Sequence, residues 1–185
     1  EEGYTPNFEV ESKAVYLYNM DTKDVIYSKN AYDSQYPASL TKIMTCILAL
    51  EMTDNLDTEI VTYPNYVQDY LYNYQYVEGN GIVSNAELMA GEQLTMRQAL
   101  YALMLPSANE VAMSIADHLG GSQQGFADMM NKKAKELGAN NTNFVNPNGL
   151  FDANHTTTAY DMALMTMHAM TLDGFMDIVT TTVYE

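Results

Sequence analysis

PASLTKIMTCILALE, residues 37–51, combines a proline, a polar turn and an apolar run, and this pattern predicts a helix from about Ala38 to Met52. Ser39 and Lys42 are three residues apart at the start of that helix and therefore share one face. Serine is a good helix cap, but a serine beside a lysine of lowered pKa is also a nucleophile with its base. Taken alone, the tetrapeptide favours the helix cap.

The sequence around this helix predicts a β-hairpin before it and more helices after it. AVYLYNM (14–20) and VIYSKN (25–30) are rich in β-branched and aromatic residues and flank the turn signal DTKD. Four more helices are predicted after this first helix. The first of these begins at Thr95, which forms a capping box with Gln98, and stops at Pro106. The others run from Ser107 to Gly120, from Gln123 to Leu137, and from Ala159, after Thr158, to about Leu172. The final VTTTVYE predicts the start of a strand, and so few strands predict an incomplete domain.

A tyrosine-rich stretch, YPNYVQDYLYNYQYVEGNG, occupies residues 63–81. Its apolar residues follow neither the helix nor the strand period, so an irregular surface segment is predicted. Packing of the tyrosine rings is the favoured interpretation, and a sugar- or partner-binding face is the alternative.

Composition and charge exclude several classes of function. The chain has 185 residues, 47% of them hydrophobic, which is enough for one domain with a real core. Its 24 acidic residues against 8 basic ones give a net charge of −16, which argues against nucleic-acid binding and against docking on an anionic membrane. The single cysteine, Cys46, excludes an internal disulfide and is expected to be an inert buried thiol.

A second serine motif, Ser107–Asn109, has the pattern Ser-x-Asn. Ser107 and Glu110 also match a capping box, and Ser28–Asn30 matches Ser-x-Asn equally well, so spacing alone does not choose between them. His118, His155 and His168 show no zinc-ligand spacing, and the sequence holds no glycine-rich phosphate loop. Neither a metal nor an organic cofactor is expected.

The motifs occur in an order that resembles the serine D-alanyl-D-alanine carboxypeptidases, the low-molecular-mass penicillin-binding proteins related to serine β-lactamases. The resemblance is carried successively by DTKDVIYSKNA, PASLTKIMTCILALE, GEQLTMRQALYALMLPSANEVAMSIADHLGGS and FADMMNKKAKELGANNTNFVNPNGLFDANHTTTAYDMALM. It implies an α/β (α+β) fold of the β-lactamase/transpeptidase type, with a helical cluster packed on an antiparallel sheet.

The resemblance also implies a role for each motif residue. Ser39 would be the acylated nucleophile, with its backbone N–H as half of the oxyanion hole, and Lys42 would be the general base. Ser107 would relay a proton to the leaving D-alanine, and Asn109 would hold the substrate peptide and orient Lys42. The order of the motifs also excludes Ser28–Asn30 as the Ser-x-Asn motif, because it precedes Ser39.

Two departures from the family pattern stand out. Ala108 replaces the usual glycine of Ser-Gly-Asn, and no Lys-Thr-Gly motif occurs before Glu185. Residues 1–185 are therefore expected to be the N-terminal and helical portion of a penicillin-binding, transpeptidase-like domain, truncated before the Lys-Thr-Gly strand and lacking its C-terminal strands.

The resemblance implies a secreted or cell-envelope hydrolase of peptidoglycan biosynthesis, which acts outside the cytoplasmic membrane and contributes to cell shape. Its implied partners are stem peptides ending in D-Ala-D-Ala and β-lactam antibiotics; the family's membrane anchor is not in this chain. A class A-like β-lactamase is an alternative, disfavoured because no Glu-x-x-Leu-Asn follows Ser107. A catalytically silent wall-binding module is another, motivated by the missing third motif and the tyrosine-rich stretch.

Overall fold

Helix α1 (Thr41–Met52) lies at the centre of the fold, and its side chains Met44, Cys46 and Ile47 are fully buried. The computed structural model describes residues 7–184. A single 3-10 turn, Ala38–Leu40, precedes α1, so the predicted helix start is confirmed. The apolar run predicted from PASLTKIMTCILALE therefore forms the centre of the main hydrophobic core.

The other helices pack on α1 or on its neighbours. They are α2 (Asn65–Gln75), α3 (Met96–Met104), α4 (Asn109–Gly120), α5 (Gln123–Glu136), α6 (Ala159–Ala169) and α7 (Phe175–Val179). Helices α3, α4, α5 and α6 all contact α1. The capping signals at Thr95 and Thr158 are confirmed, because each hydroxyl accepts a bond from the backbone N–H three residues on.

The described residues also form two small antiparallel sheets. Strands β1 (Val15–Asn19) and β2 (Asp24–Lys29) form the predicted hairpin, with a register shift between Leu17 and Tyr18. β1 packs on α6, where the rings of Tyr16 and Tyr160 meet edge to face at 5.3 Å. Strands β3 (Ile60–Thr62) and β4 (Gln93–Thr95), which the sequence analysis did not predict, pair with each other and lead into α3.

The tyrosine-rich stretch is not irregular throughout, so that prediction was wrong for residues 65–75. They form α2, which begins after Pro64 and buries Val67 and Leu71, four residues apart on one face. The tyrosines obscured this pattern because Tyr66, Tyr70 and Tyr72 are large side chains that remain exposed on the outer faces.

The strand predicted at the end of the chain was also wrong. Val179 closes α7, and the Thr180 and Thr181 hydroxyls donate hydrogen bonds to the carbonyls of Met176 and Asp177, four residues back. These local bonds continue the helical path instead of extending the backbone. Glu185, the last residue of that prediction, lies outside the described residues. Across residues 7–184, none of the helices has both the length and the apolar character that a membrane-spanning helix requires.

Candidate active site

Ser39 and Lys42 meet at the junction of the 3-10 turn and α1. Ser39 is exposed, whereas Lys42 is only 1% exposed. The Lys42 Nζ lies 3.4 Å from the Ser39 Oγ. The helix-cap interpretation of Ser39 is wrong, because the caps are Pro37 for the 3-10 turn and Leu40 for α1, and neither end has a side-chain cap bond. A lysine is also rarely enclosed without a specific role. The hydroxyl is open to a substrate while the amine beside it is shielded from water.

Two further acceptors hold the Lys42 amine. The Asn109 Oδ1 lies 3.1 Å from Nζ, and the Asn148 carbonyl oxygen lies 2.7 Å from it. A neutral amine has two N–H donors and one lone pair. If both donors are directed at these two oxygens, the lone pair is left facing Ser39. This geometry suits an amine that accepts the proton of the serine hydroxyl.

Burial lowers the pKa of Lys42 to about 8, and the negative charge of Glu110 opposes part of this change. Glu110 is itself enclosed, and burial raises the pKa of its carboxyl. The net result is a lysine that is neutral in an appreciable fraction of molecules near neutral pH. An ordinary surface lysine is almost entirely protonated there.

Ser107 and Asn109 lie across from this pair. Ser107 has a positive φ of 59°, and α4 begins only at Asn109. The predicted capping box of Ser107 with Glu110 is therefore wrong, because Glu110 accepts from the Ala86 N–H instead. The buried Ser107 Oγ has no hydrogen-bond partner among residues 7–184, and Ser107 lines a cleft of about 350 Å³ together with Ser39 and Lys42.

The loop at residues 146–150 closes the inner side of the site. Its Pro147 carbonyl accepts a 2.6 Å bond from the Thr45 hydroxyl, and its Asn148 carbonyl binds Lys42 as described. Gly149 has a φ of +89° and lies directly against the Ala38 carbonyl. The sequence analysis assigned no role to Asn148, so its part in the site was missed: it acts through its backbone carbonyl, which no side-chain motif reveals.

His155 ties this loop region to the start of α1. Its Nδ1 accepts from the Val145 N–H at 2.9 Å, so the ring proton must be on Nε2, which donates to the Thr41 Oγ1 at 2.7 Å. Burial lowers the pKa of His155 to about 4, so the ring is neutral at pH 7. The sequence analysis considered His155 only as a metal ligand and missed its contact with Thr41, the residue next to Lys42.

The other candidates lie outside the site. Ser28 is on β2 and is not among the partners of Lys42, and burial raises the pKa of the Cys46 thiol to about 12, in line with an inert cysteine. His118 pairs with Glu59 and His168 with Glu51. Across residues 7–184, no cluster of three or more His, Cys, Asp or Glu side chains is arranged to hold a metal ion.

Comparison with known proteins gives consistent matches. A family model described as D-alanyl-D-alanine carboxypeptidase matches residues 2–183. The chain is 37% identical over 155 residues to the D-alanyl-D-alanine carboxypeptidase DacF of Bacillus subtilis, covering 84% of this chain and 38% of that protein. It is 32% identical over 176 residues to a D-alanyl-D-alanine carboxypeptidase of a Streptomyces strain, covering 91% of this chain and 58% of that protein.

Solved structures agree. A mutant of a Streptomyces DD-transpeptidase matches with a TM-score of 0.87 and 30% identity, over 96% of this chain and 68% of that one. The D-alanyl-D-alanine carboxypeptidase DacD from Francisella tularensis matches with a TM-score of 0.78 and 31% identity, over 94% of this chain and 40% of that one. The predicted β-lactamase/transpeptidase-like fold is thereby confirmed. The chain spans only 38% and 58% of the length of the two curated relatives above.

Proposed function

Because the chain belongs to the family of D-alanyl-D-alanine carboxypeptidases, we propose that its protein is a serine hydrolase that removes the terminal D-alanine from peptidoglycan stem peptides. Residues 1–185 are the N-terminal and helical portion of the penicillin-binding domain in this proposal, and the Lys-Thr-Gly strand belongs to the remainder. The protein acts outside the cytoplasmic membrane, where its substrate is found.

One observation carries the proposal: a buried amine of lowered pKa, held by two acceptors, lies beside an exposed serine hydroxyl. A serine hydroxyl is a weak nucleophile until a neighbouring base removes its proton. Lys42 meets the two requirements of such a base, which are reach and an accessible neutral form. A helix cap needs neither the burial of Lys42 nor its two orienting partners.

Acylation forms the first covalent bond. The Ser39 Oγ attacks the carbonyl carbon of the penultimate D-alanine, and its proton passes to the Lys42 Nζ. The oxygen of the tetrahedral intermediate becomes negative, and the Ser39 N–H near the N-terminus of α1 supplies one hydrogen bond to it. The second donor, and the cation for the substrate carboxylate, belong to the Lys-Thr-Gly strand in this proposal.

Collapse of the intermediate breaks the peptide bond and expels D-alanine. Its amine receives a proton through the Ser107 hydroxyl, which has no competing hydrogen bond within residues 7–184. The Asn109 Oδ1 keeps Lys42 in place and, with its second lone pair, accepts an N–H of the substrate peptide. Water then attacks the acyl-enzyme, releases the shortened stem peptide and restores the Ser39 hydroxyl. None of these steps requires a metal ion or an organic cofactor.

Mass spectrometry with penicillin tests the proposal, because a β-lactam ring that resembles D-Ala-D-Ala acylates the same serine. The protein expressed from its whole coding sequence should gain the mass of one penicillin on the peptide that contains Ser39, and Ser39→Ala should gain none. Release of D-alanine from a synthetic pentapeptide should follow the same pattern. An unmodified Ser39 peptide would refute the proposal, and rapid turnover of a chromogenic β-lactam without a stable adduct would indicate a β-lactamase.

The pH dependence of acylation provides a separate prediction. Only neutral Lys42 accepts the serine proton, so the acylation rate should rise with pH and level off above about pH 8. Glu110→Gln keeps a hydrogen-bond acceptor but removes the charge that favours protonated Lys42, so its inflection should move to lower pH. Stopped-flow acylation by a fluorescent penicillin between pH 5 and pH 10 measures both curves. A rate that stays constant across this range would contradict the assignment of Lys42.

A further inference from the structure

The orientation of the Asn109 amide decides whether its oxygen or its nitrogen faces the Lys42 amine. The amide has one acceptor, Oδ1, and one donor group, Nδ2, and the two look alike in shape. The Asn109 Nδ2 lies 2.8 Å from the Ser84 carbonyl oxygen. Because a carbonyl oxygen can only accept, the atom facing Ser84 must be the nitrogen. The other atom, Oδ1, therefore faces the Lys42 amine.

The Ser84 hydroxyl strengthens this arrangement from the same side. Its Oγ donates to the Ser107 carbonyl at 2.8 Å and lies 3.2 Å from the Asn109 Nδ2, where it can accept the second N–H. A single hydroxyl thus joins the backbone of Ser107 to the side chain of Asn109. Both N–H groups of the amide then have acceptors on Ser84.

The segment that carries Ser84 is itself fixed to the start of α4. The Ser84 carbonyl also accepts the Asn109 backbone N–H at 3.1 Å, and the Ala86 N–H donates to the Glu110 Oε1 at 2.6 Å. Bonds to an enclosed carboxylate are among the stronger hydrogen bonds in proteins. Ser84 is therefore held at a set position although its own side chain is exposed.

We infer that Ser84 is a positioning residue for this site: its carbonyl and hydroxyl oxygens hold the Asn109 amide with Oδ1 directed at the Lys42 amine. If the amide turned over, its N–H groups would face Lys42 and compete for the lone pair that Ser39 needs. Ser84 touches neither the serine nucleophile nor the base, and it acts only through Asn109 and Ser107. This inference rests on the proposed acylation of Ser39.

Ser84→Ala and Ser84→Thr test the inference in the protein expressed from its whole coding sequence. Acylation by a fluorescent penicillin is followed from pH 5 to pH 10. Ser84→Ala leaves the carbonyl but removes the hydroxyl, and loss of such a neutral hydrogen bond corresponds to a plateau rate lower by up to about tenfold. The inflection should also move to lower pH, because a less firmly held Oδ1 stabilises protonated Lys42 less. Ser84→Thr retains a hydroxyl and should restore both values.

Ser28→Ala is the matched control, since Ser28 is an exposed serine on β2 away from the site, and it should acylate like the unmodified protein. The inference is overturned if Ser84→Ala acylates normally, or if its plateau rate falls while the inflection stays in place, because the surroundings of the Lys42 amine would then be unchanged. Loss of folded protein lowers only the amplitude of the signal and leaves both the plateau rate and the inflection in place. Failure of the proposed function gives a different result: the unmodified protein itself then forms no adduct.

Discussion

Lys42→Met will lower the rate at which penicillin acylates Ser39 by about two to four orders of magnitude, the usual contribution of a general base. Methionine has a similar length and fills the enclosed space, so the amine is removed without leaving a large cavity. Acylation is measured as the second-order rate with a fluorescent penicillin at pH 8.5. At that pH most molecules of the unmodified protein carry a neutral Lys42.

The stability of this variant must be measured beside its activity. Loss of the amine leaves the Asn109 Oδ1 and the Asn148 carbonyl without their partner, and each enclosed unpaired group costs about 1–3 kcal/mol of unfolding free energy. Circular dichroism at the assay temperature shows whether the variant is folded. Lys132→Met is the matched control, because that lysine is exposed on α5 and should acylate normally. A folded Lys42→Met protein that acylates within tenfold of the unmodified rate would exclude Lys42 as the base.

Gly149→Ala will destabilise the fold and disable the site together. A Cβ at this position would overlap the Ala38 carbonyl, which is backbone and has no rotamer with which to move aside. The positive φ of +89° adds strain for any side chain. The two effects together should lower the unfolding free energy by more than about 4 kcal/mol, which is large for a single methyl group. Denaturant unfolding measures this loss.

Gly91→Ala separates the two causes of that loss. Gly91 has a similar φ of +93°, but an added Cβ there meets no atom within 4 Å. It should therefore cost only the backbone strain, about 1–2 kcal/mol, and leave acylation intact. Equal losses in the two variants would show that the contact between residues 149 and 38 contributes nothing.

The sequence predicted those parts of the fold that depend on neighbouring residues. The hairpin, the buried helix after PASLTK, and the caps at Thr95 and Thr158 are all local, and all are confirmed. The helix cap predicted at Ser107 was wrong, because Glu110 accepts a hydrogen bond from the Ala86 N–H, which is distant along the chain. A local pattern cannot register a competing partner that only tertiary folding brings close.

The candidate site likewise contains residues that the sequence predicts and residues that only the structure reveals. Ser39 and Lys42 are recognisable from their side chains and their spacing on one helix face. Asn148 contributes a carbonyl that every residue has, and Ser84 lies in an irregular segment and belongs to none of the recognised motifs. The motifs therefore identified the groups proposed to react, whereas the groups that orient them became visible only in three dimensions.

The distances along the chain between these groups have a consequence for folding. Ser39 and Lys42 can meet as soon as the first turn of α1 forms, but Asn109 and Asn148 follow Lys42 by 67 and 106 residues. Closing such long loops is slow and entropically costly, so the amine is oriented only when distant segments have assembled. A nascent or partly folded chain would carry the serine and the lysine without a competent base. Labelling by penicillin would thus report completed folding rather than mere synthesis of the chain.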